Sequence, residues 1–275
     1  RRRGGFAMTY STLASIVKYP YEASMAERSN KFGFFCTETE DFRRVAEELG
    51  MISRPGPNGE IRYCRHPLVF IVEAADDICY EVMDLEDAHK LKILTTDEVK
   101  RLMLGFFEES RRDHMIEVMA TIADPNEQIG YLRSCVIGTL VDCCAATFVD
   151  HEEEILEGSF TSPLLRHIRQ PERAAYEECN RVSWAKIYCA SSVVEVELAG
   201  NRIITFLMEK LIHAVRYPDL AYSRLLLAKV PEQYDVHSPD LFTKVQAAVD
   251  HVAAMTDVYA LDLYRKLNGM SLPAV

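Results

Sequence analysis

The stretch Glu73–Asp87 holds the densest set of side chains that could do chemistry. It reads EAADDICYEVMDLED, and seven of its fifteen residues are acidic while none is Lys or Arg. In a helix, like-charge pairs such as Glu73 and Asp77 would each cost roughly 0.2–0.5 kcal/mol. The sequence therefore predicts a source of positive charge that offsets this cost.

Within this stretch, Asp76, Tyr80 and Asp84 lie four residues apart. On a helix they form a stripe of about 12 Å along one side. The acids alternate with apolar residues, which favours a half-buried helix. Carboxylates in such a setting bind a cation or a ligand hydroxyl, or they pair with Arg or Lys from other helices. The residues alone support the two explanations equally.

Two lysines near the start of the chain have aromatic companions. Lys18 precedes Tyr19, and Lys31 precedes Phe32. A lysine ammonium group is a mobile point charge that suits phosphate. Without a further signal, ordinary surface lysines remain the preferred explanation.

Composition excludes several classes of protein. The net charge of −11 argues against a nucleic-acid-binding surface that covers the protein. The eight cysteines have no CxxC spacing, so we expect reduced thiols in a cytoplasmic protein. The sequence contains no uninterrupted run of 18 apolar residues, so it predicts no membrane span. Phosphate-loop, dinucleotide-binding, HExxH and GxSxG motifs are absent from the sequence.

Apolar spacing and capping residues predict a helical protein. Pro67 should open the acidic helix, which should end near Leu91. Capping boxes are predicted at Thr37 with Glu40 and at Thr95 with Glu98. Ser53–Arg62 is predicted as a loop, and Ser192–Leu198 as the one strand. The other predicted helices cover residues 7–18, 37–49, 95–109, 115–123, 127–156, 172–190, 202–215, 219–229 and 239–267.

Several stretches of the sequence resemble one known family. The phrase HPLVFIVEAADDICY, residues 66–80, resembles the deoxyguanosine triphosphate triphosphohydrolases of the HD-domain superfamily. Supporting matches are MTYSTLASIVKYP (8–20), KFGFF (31–35), ELAG (197–200) and AMTD (254–257), in the same order. The resemblance implies an all-α, HD-domain-like helical bundle with at most a small β-hairpin. It also implies a catalytic-domain part at 1–110 and a helical C-terminal domain at 111–275.

The resemblance further implies roles for seven residues. Asp76 would ligate a divalent metal, Mg²⁺ or Mn²⁺. Tyr80 would pack under C2′ of the sugar, and Asp84 would accept from the 3′-OH, so that together they select a deoxynucleotide. The remaining implied contacts are Lys18, Tyr19 and Lys31 with the triphosphate and Glu197 with the guanine edge.

The reaction implied by the resemblance is metal-dependent hydrolysis of dGTP, with other dNTPs as further substrates, to deoxynucleoside and inorganic triphosphate. Such enzymes also use a His and a His-Asp pair, and this sequence contains no His-Asp dipeptide. We therefore expect a C-terminal portion of the enzyme that is inactive alone, with the catalytic residues N-terminal to it. A non-hydrolysing nucleotide-binding or regulatory homologue and a helical scaffold are the alternatives. Homo-oligomers such as hexamers, and single-stranded DNA as an effector, are further expectations from the family.

Overall fold

The computed structural model describes residues 8–26, 31–56 and 60–270, and they are mostly helical. The chain divides into two compact units, Arg1–Tyr188 and Cys189–Val275. The expectation of an all-α fold with at most a small hairpin is confirmed. The predicted domain division between residues 110 and 111 falls inside the first unit.

Unit 1 contains eight α-helices within the described residues. They are α1 (Tyr10–Ser15), α2 (Thr39–Glu48), α3 (Pro67–Lys90), α4 (Thr96–Leu104), α5 (Glu109–Ala120), α6 (Pro125–Asp150), α7 (Glu152–Leu156) and α8 (Glu172–Val182). A π-helical turn at Ser183–Ile187 continues α8. Strands β1 (Ser53–Pro55) and β2 (Ile61–Tyr63) form an antiparallel hairpin in which Ser53 pairs with Tyr63.

The acidic helix α3 is the centre of unit 1. Its buried face carries Phe70, Ala74, Ile78 and Val82, spaced four residues apart, and it packs against α6. The facing residues of α6 include Ile129, Leu132 and Val136, all fully buried. This shared core fixes the rotation of α3 and therefore decides which of its acids face outward.

Helix α6 is long and apolar enough to cross a membrane, by length and composition alone. In the structure it is a core helix, with Ile129, Leu132, Val136 and Leu140 at 0% exposure. One face of α6 packs on α3 and α4, which accounts for the apolar residues of that face.

Unit 2 contains α9 (Ser191–Arg216), α10 (Ala221–Leu227), α11 (Leu241–Ala253) and α12 (Asp257–Leu267). The other three helices pack on the C-terminal half of α9, around Leu207, Leu211 and Val215. The predicted strand at Ser192–Leu198 is wrong, because these residues form the first turns of α9. A lone strand would leave its backbone groups unpaired, whereas a helix satisfies them internally.

Two other local predictions also need correction. Ser53–Arg62 was predicted as a loop, yet its ends form the β-hairpin, whose turn at 57–59 lies outside the described residues. The capping box at Thr37 and Glu40 does not form, because the Glu38 carboxylate instead accepts from the Phe35 backbone N–H at 2.9 Å. By contrast, the box at Thr95 and Glu98 and the start of α3 at Pro67 are confirmed.

Candidate nucleotide site along helix α3

The side of α3 opposite its buried face is exposed and largely apolar. Asp76 lies there, and the Tyr80 side chain is 65% exposed. Leu68, Val72 and Met83 are exposed on the same side. The predicted metal ligand and the predicted sugar-contacting ring therefore share an accessible surface in which Asp76 is a carboxylate among apolar neighbours.

Near the start of α3, a buried acid is neutralised by two bases. The Glu73 side chain is 3% exposed, and its two oxygens lie 2.7 Å from Lys18 Nζ and 3.1 Å from an Arg65 guanidinium nitrogen. Burial disfavours the charge on Lys18, but the hydrogen bond and charge of Glu73 outweigh that effect and raise the Lys18 pKa. One buried carboxylate thus anchors two cations at this end of the helix.

Three cationic side chains lie around the ring of Tyr19. The centroid of its ring lies 5.9 Å from Lys18 Nζ, 5.6 Å from Lys31 Nζ and 5.9 Å from the Arg65 guanidinium carbon. We call Lys18, Tyr19, Lys31 and Arg65 the Tyr19 cluster. With formal charges, the three cations and Glu73 together carry a net charge of +2. The structure therefore brings the three predicted triphosphate residues together and adds Arg65.

Backbone segments that are distant in sequence lie very close together around this cluster. A Cβ atom at Gly33 would overlap the carbonyl oxygen of Tyr19, so only glycine lets the segment that carries Lys31 pass there. Arg65 also donates through Nε to the Lys18 carbonyl oxygen at 3.0 Å. Both contacts fix residues that are distant in sequence beside the start of α3.

The remaining acids of α3 separate into two groups. Near its C-terminus, Glu86 lies 2.9 Å from Lys90 and 2.5 Å from Arg133, and Asp87 lies 3.4 Å from Lys90. In the described part of the chain, no ion pair reaches the four acids between the two ends of α3, which are Asp76, Asp77, Glu81 and Asp84. We call these four the central carboxylates. Pairing with bases of the same chain therefore explains the ends of the acidic helix and leaves its centre unexplained.

Two of the central carboxylates are pushed toward their neutral form. Burial raises the pKa of Asp77, with smaller opposing and reinforcing effects from Lys18 and Glu73. Burial also raises the pKa of Glu81 to about 7, although a hydrogen bond from Ser183 works the other way. Clustered carboxylates with raised pKa values are a common feature of functional sites.

Hydroxyl groups from the π-turn region contact the other end of this row. Tyr188 Oη donates to Asp84 Oδ2 at 2.6 Å, and Ser183 Oγ donates to Glu81 Oε1 at 3.2 Å. The ring of Trp184 packs edge-on against Tyr188 with centroids 5.2 Å apart. Asp84 is half-buried, and Tyr188 donates a hydrogen bond to its carboxylate.

A cleft of about 540 Å³ opens beside Asp77. Its other lining residues come from the segment before α8 and from α8 itself: Pro163, Leu165, Arg166, Arg173, Tyr176, Glu177 and Asn180. Arg173 pairs with Glu177 at 2.9 Å, so the lining is mixed in charge. The cleft provides open volume next to Asp77, the one central carboxylate among its lining residues.

The described residues do not form a metal site by themselves. Across residues 8–26, 31–56 and 60–270, no three His, Cys, Asp or Glu side chains converge as metal ligands. Mg²⁺ requires close to six oxygen ligands, and Asp76 supplies one. The predicted role of Asp76 stays a prediction that depends on further ligands.

The seven predicted site residues thus fall into three places. Lys18, Tyr19 and Lys31 meet in the Tyr19 cluster, and Asp76, Tyr80 and Asp84 lie along α3. Glu197 lies exposed on α9 in unit 2, and its predicted contact with guanine stays a prediction.

Comparison with known proteins identifies a matching domain family and several similar proteins. The phosphohydrolase-associated domain family matches residues 167–266. A deoxyguanosinetriphosphate triphosphohydrolase-like protein of Synechocystis is 31% identical over 98% of this chain and 62% of its own length. A protein of the same name from Pseudomonas aeruginosa is 28% identical over 98% of the chain and 62% of its own length. The deoxyguanosinetriphosphate triphosphohydrolase of Yersinia enterocolitica is 25% identical over 94% of this chain and 60% of its own length.

The chain is therefore homologous to proteins named deoxyguanosinetriphosphate triphosphohydrolase-like and corresponds to a C-terminal portion of them. The family resemblance stated from the sequence is confirmed. The chain spans 62% of the length of the Synechocystis relative.

Sequence reasoning missed Arg65, Glu81, Ser183 and Tyr188. For Arg65, the unpartnered Glu73 eight residues later was a usable signal, since a buried acid needs a base. For Ser183 and Tyr188 we find no signal, because their acidic partners lie 102 and 104 residues earlier in the sequence.

Proposed function

We propose that the full-length protein hydrolyses dGTP to deoxyguanosine and inorganic triphosphate in a metal-dependent reaction, with other dNTPs as further substrates. The observation that carries this proposal is the row of central carboxylates, which no base of the described chain neutralises, next to the net positive Tyr19 cluster. The names of the relatives support a phosphohydrolase.

The order of groups along α3 suits a nucleoside triphosphate. From Glu73, where the Tyr19 cluster is anchored, to Asp84 is eleven residues, or about 16 Å of helix. Lys18 and Lys31 would bind the triphosphate, a group with a charge near −4. Tyr80 and Asp84, one and two turns beyond Asp76, would contact the sugar.

Selection of a deoxynucleotide would follow from this placement. An aromatic ring against C2′ leaves no room for a ribose hydroxyl, and a carboxylate can accept a hydrogen bond from the 3′-OH. Asp76 would contribute one oxygen ligand to Mg²⁺ or Mn²⁺. Its co-ligands would come from outside the described residues.

A second candidate is a nucleotide-binding homologue that does not hydrolyse. It is favoured by one observation, namely that the described residues contain no three-ligand cluster for a metal. In that case dGTP would bind along α3 without release of triphosphate.

The eight cysteines are all free, which supports placing the protein in the cytoplasm. Assembly into a homo-oligomer such as a hexamer, and control by single-stranded DNA, stay predictions of the family resemblance.

The test uses the full-length protein with dGTP and MnCl₂, and deoxyguanosine and triphosphate are separated by anion exchange. We expect both products from the wild type and neither from Asp76→Ala. The matched control is Asp87→Ala, which removes an exposed acid of the same helix that pairs with Lys90. If Asp76→Ala releases both products as fast as Asp87→Ala does, Asp76 is not part of the site. Binding of dGTP without any product would favour the second candidate.

A further inference from the structure

The π-turn at Ser183–Ile187 places two hydroxyl groups against α3. Its i→i+5 hydrogen bond runs from the Tyr188 N–H to the Ser183 carbonyl at 3.0 Å. In a regular α-helix, residues five apart project about 140° away from each other. The wider turn brings Ser183 and Tyr188 back to one side, so that their hydroxyls reach Glu81 and Asp84.

The bond from Tyr188 to Asp84 is the shorter of the two. At 2.6 Å it lies in the range of charge-assisted O–H···O⁻ hydrogen bonds. Burial and the neighbouring Asp84 both raise the pKa of Tyr188, so its phenol remains a donor at neutral pH. The bond occupies Asp84 Oδ2 and leaves Oδ1 with lone pairs for a second donor.

We infer that Tyr188 is a positioning residue that holds the Asp84 carboxylate in the orientation in which its second oxygen accepts from the 3′-hydroxyl of the nucleotide. This inference rests on the proposed function and adds a residue to its sugar site. Tyr188 itself need not touch the substrate. Its contribution should be confined to substrates that carry a 3′-hydroxyl group.

The test compares dGTP with 2′,3′-dideoxyguanosine triphosphate, using Tyr188→Phe in the full-length protein. One hydrogen bond to a charged group predicts that wild-type kcat/KM favours dGTP by roughly tenfold to a hundredfold. In Tyr188→Phe we expect that preference to fall at least threefold, through a higher KM for dGTP. The constants for the dideoxy substrate should not change, which also shows that the variant is folded.

Two controls separate positioning from general damage. Tyr131→Phe alters another partly buried tyrosine of unit 1, on α6, and should leave the preference at its wild-type value. In an Asp84→Asn background, Tyr188→Phe should have no further effect on the preference, because the carboxylate that it orients is gone.

Several outcomes would overturn the inference. An unchanged preference in Tyr188→Phe, or an equal loss on both substrates, would show that Tyr188 does not act through the sugar hydroxyl. The proposed function would survive either result. If the wild type itself does not distinguish the two nucleotides, the sugar role of Asp84 fails as well, and absence of any product from dGTP would refute the proposed hydrolysis.

Discussion

Glu81 makes the folding of this protein depend on pH in a direction that can be calculated. Its side chain is buried, and burial raises its pKa from the usual 4.5 to about 7. Because the folded-state pKa lies above the unfolded-state pKa, its contribution to stability is fully present below pH 4.5 and is lost as pH rises through 7. Since moving a pKa from 4.5 to about 7 changes the free energy by about 1.36 kcal/mol per tenfold change in proton affinity, the loss is at most about 3 kcal/mol above pH 7.

The perturbation is Glu81→Gln, which is neutral at every pH and keeps an oxygen that can accept from Ser183. We expect the variant to match the wild type near pH 4 and to be more stable at pH 8, by up to about 3 kcal/mol. Urea unfolding of the full-length protein at pH 4, 6 and 8 measures the difference. The control Glu117→Gln changes an exposed acid on α5 and should show no such trend.

A difference between Glu81→Gln and wild type that does not vary with pH would refute this reasoning. So would a variant that is less stable than wild type at pH 8, since that would mean that the charged form of Glu81 is stabilised in the fold. Either result would place a compensating cation beside Glu81 and weaken the description of the central carboxylates as unneutralised.

Two further substitutions test the site. Tyr80→Ala removes a side chain that is 65% exposed, so it should leave the fold intact and lower the preference for dGTP over GTP at least about tenfold; unchanged discrimination, measured as the ratio of kcat/KM values, would rule out the sugar-gate role. Lys31→Gln should raise KM for dGTP by about tenfold with little change in kcat, because a phosphate contact is made equally before and during the reaction. Lys92→Gln, on the exposed segment after α3, should change neither constant, and an equal effect of the two lysine variants would contradict a specific phosphate contact.

Much of the scaffold was predictable from local signals. Helix α3 begins at Pro67 and ends at Lys90, as the proline and the apolar spacing predict, and the capping box at Thr95 forms as expected. These features depend on residues close in sequence. The offsetting positive charge demanded by the acidic stretch was also predicted correctly, and it is supplied by Lys18, Arg65 and Arg133.

The failures share a physical cause. Ser192–Leu198 has the alternation of a strand, but strand formation requires a partner, and the residues instead extend α9. The long helix predicted from 127 to 156 is interrupted at His151, between α6 and α7. In both cases the outcome depends on the surrounding structure as well as on the local pattern.

Only part of the candidate site was predictable from the sequence, because some of its contacts depend on the surrounding structure. The i, i+4, i+8 spacing identified the row along α3, and the resemblance identified Lys18 and Lys31. The bond between Tyr188 and Asp84 needs a π-turn 104 residues away, which no local pattern indicates. Contacts of this kind depend on packing of distant helices.

The most direct test of the central claim is a crystal structure of the full-length protein with Mn²⁺ and a non-hydrolysable dGTP analogue. We predict a metal ion within about 2.2 Å of a carboxylate oxygen of Asp76, the triphosphate against Lys18 and Lys31, and the 3′-hydroxyl within hydrogen-bonding distance of Asp84. A nucleotide bound elsewhere, with the central carboxylates of α3 contacting neither metal nor sugar, would contradict the account.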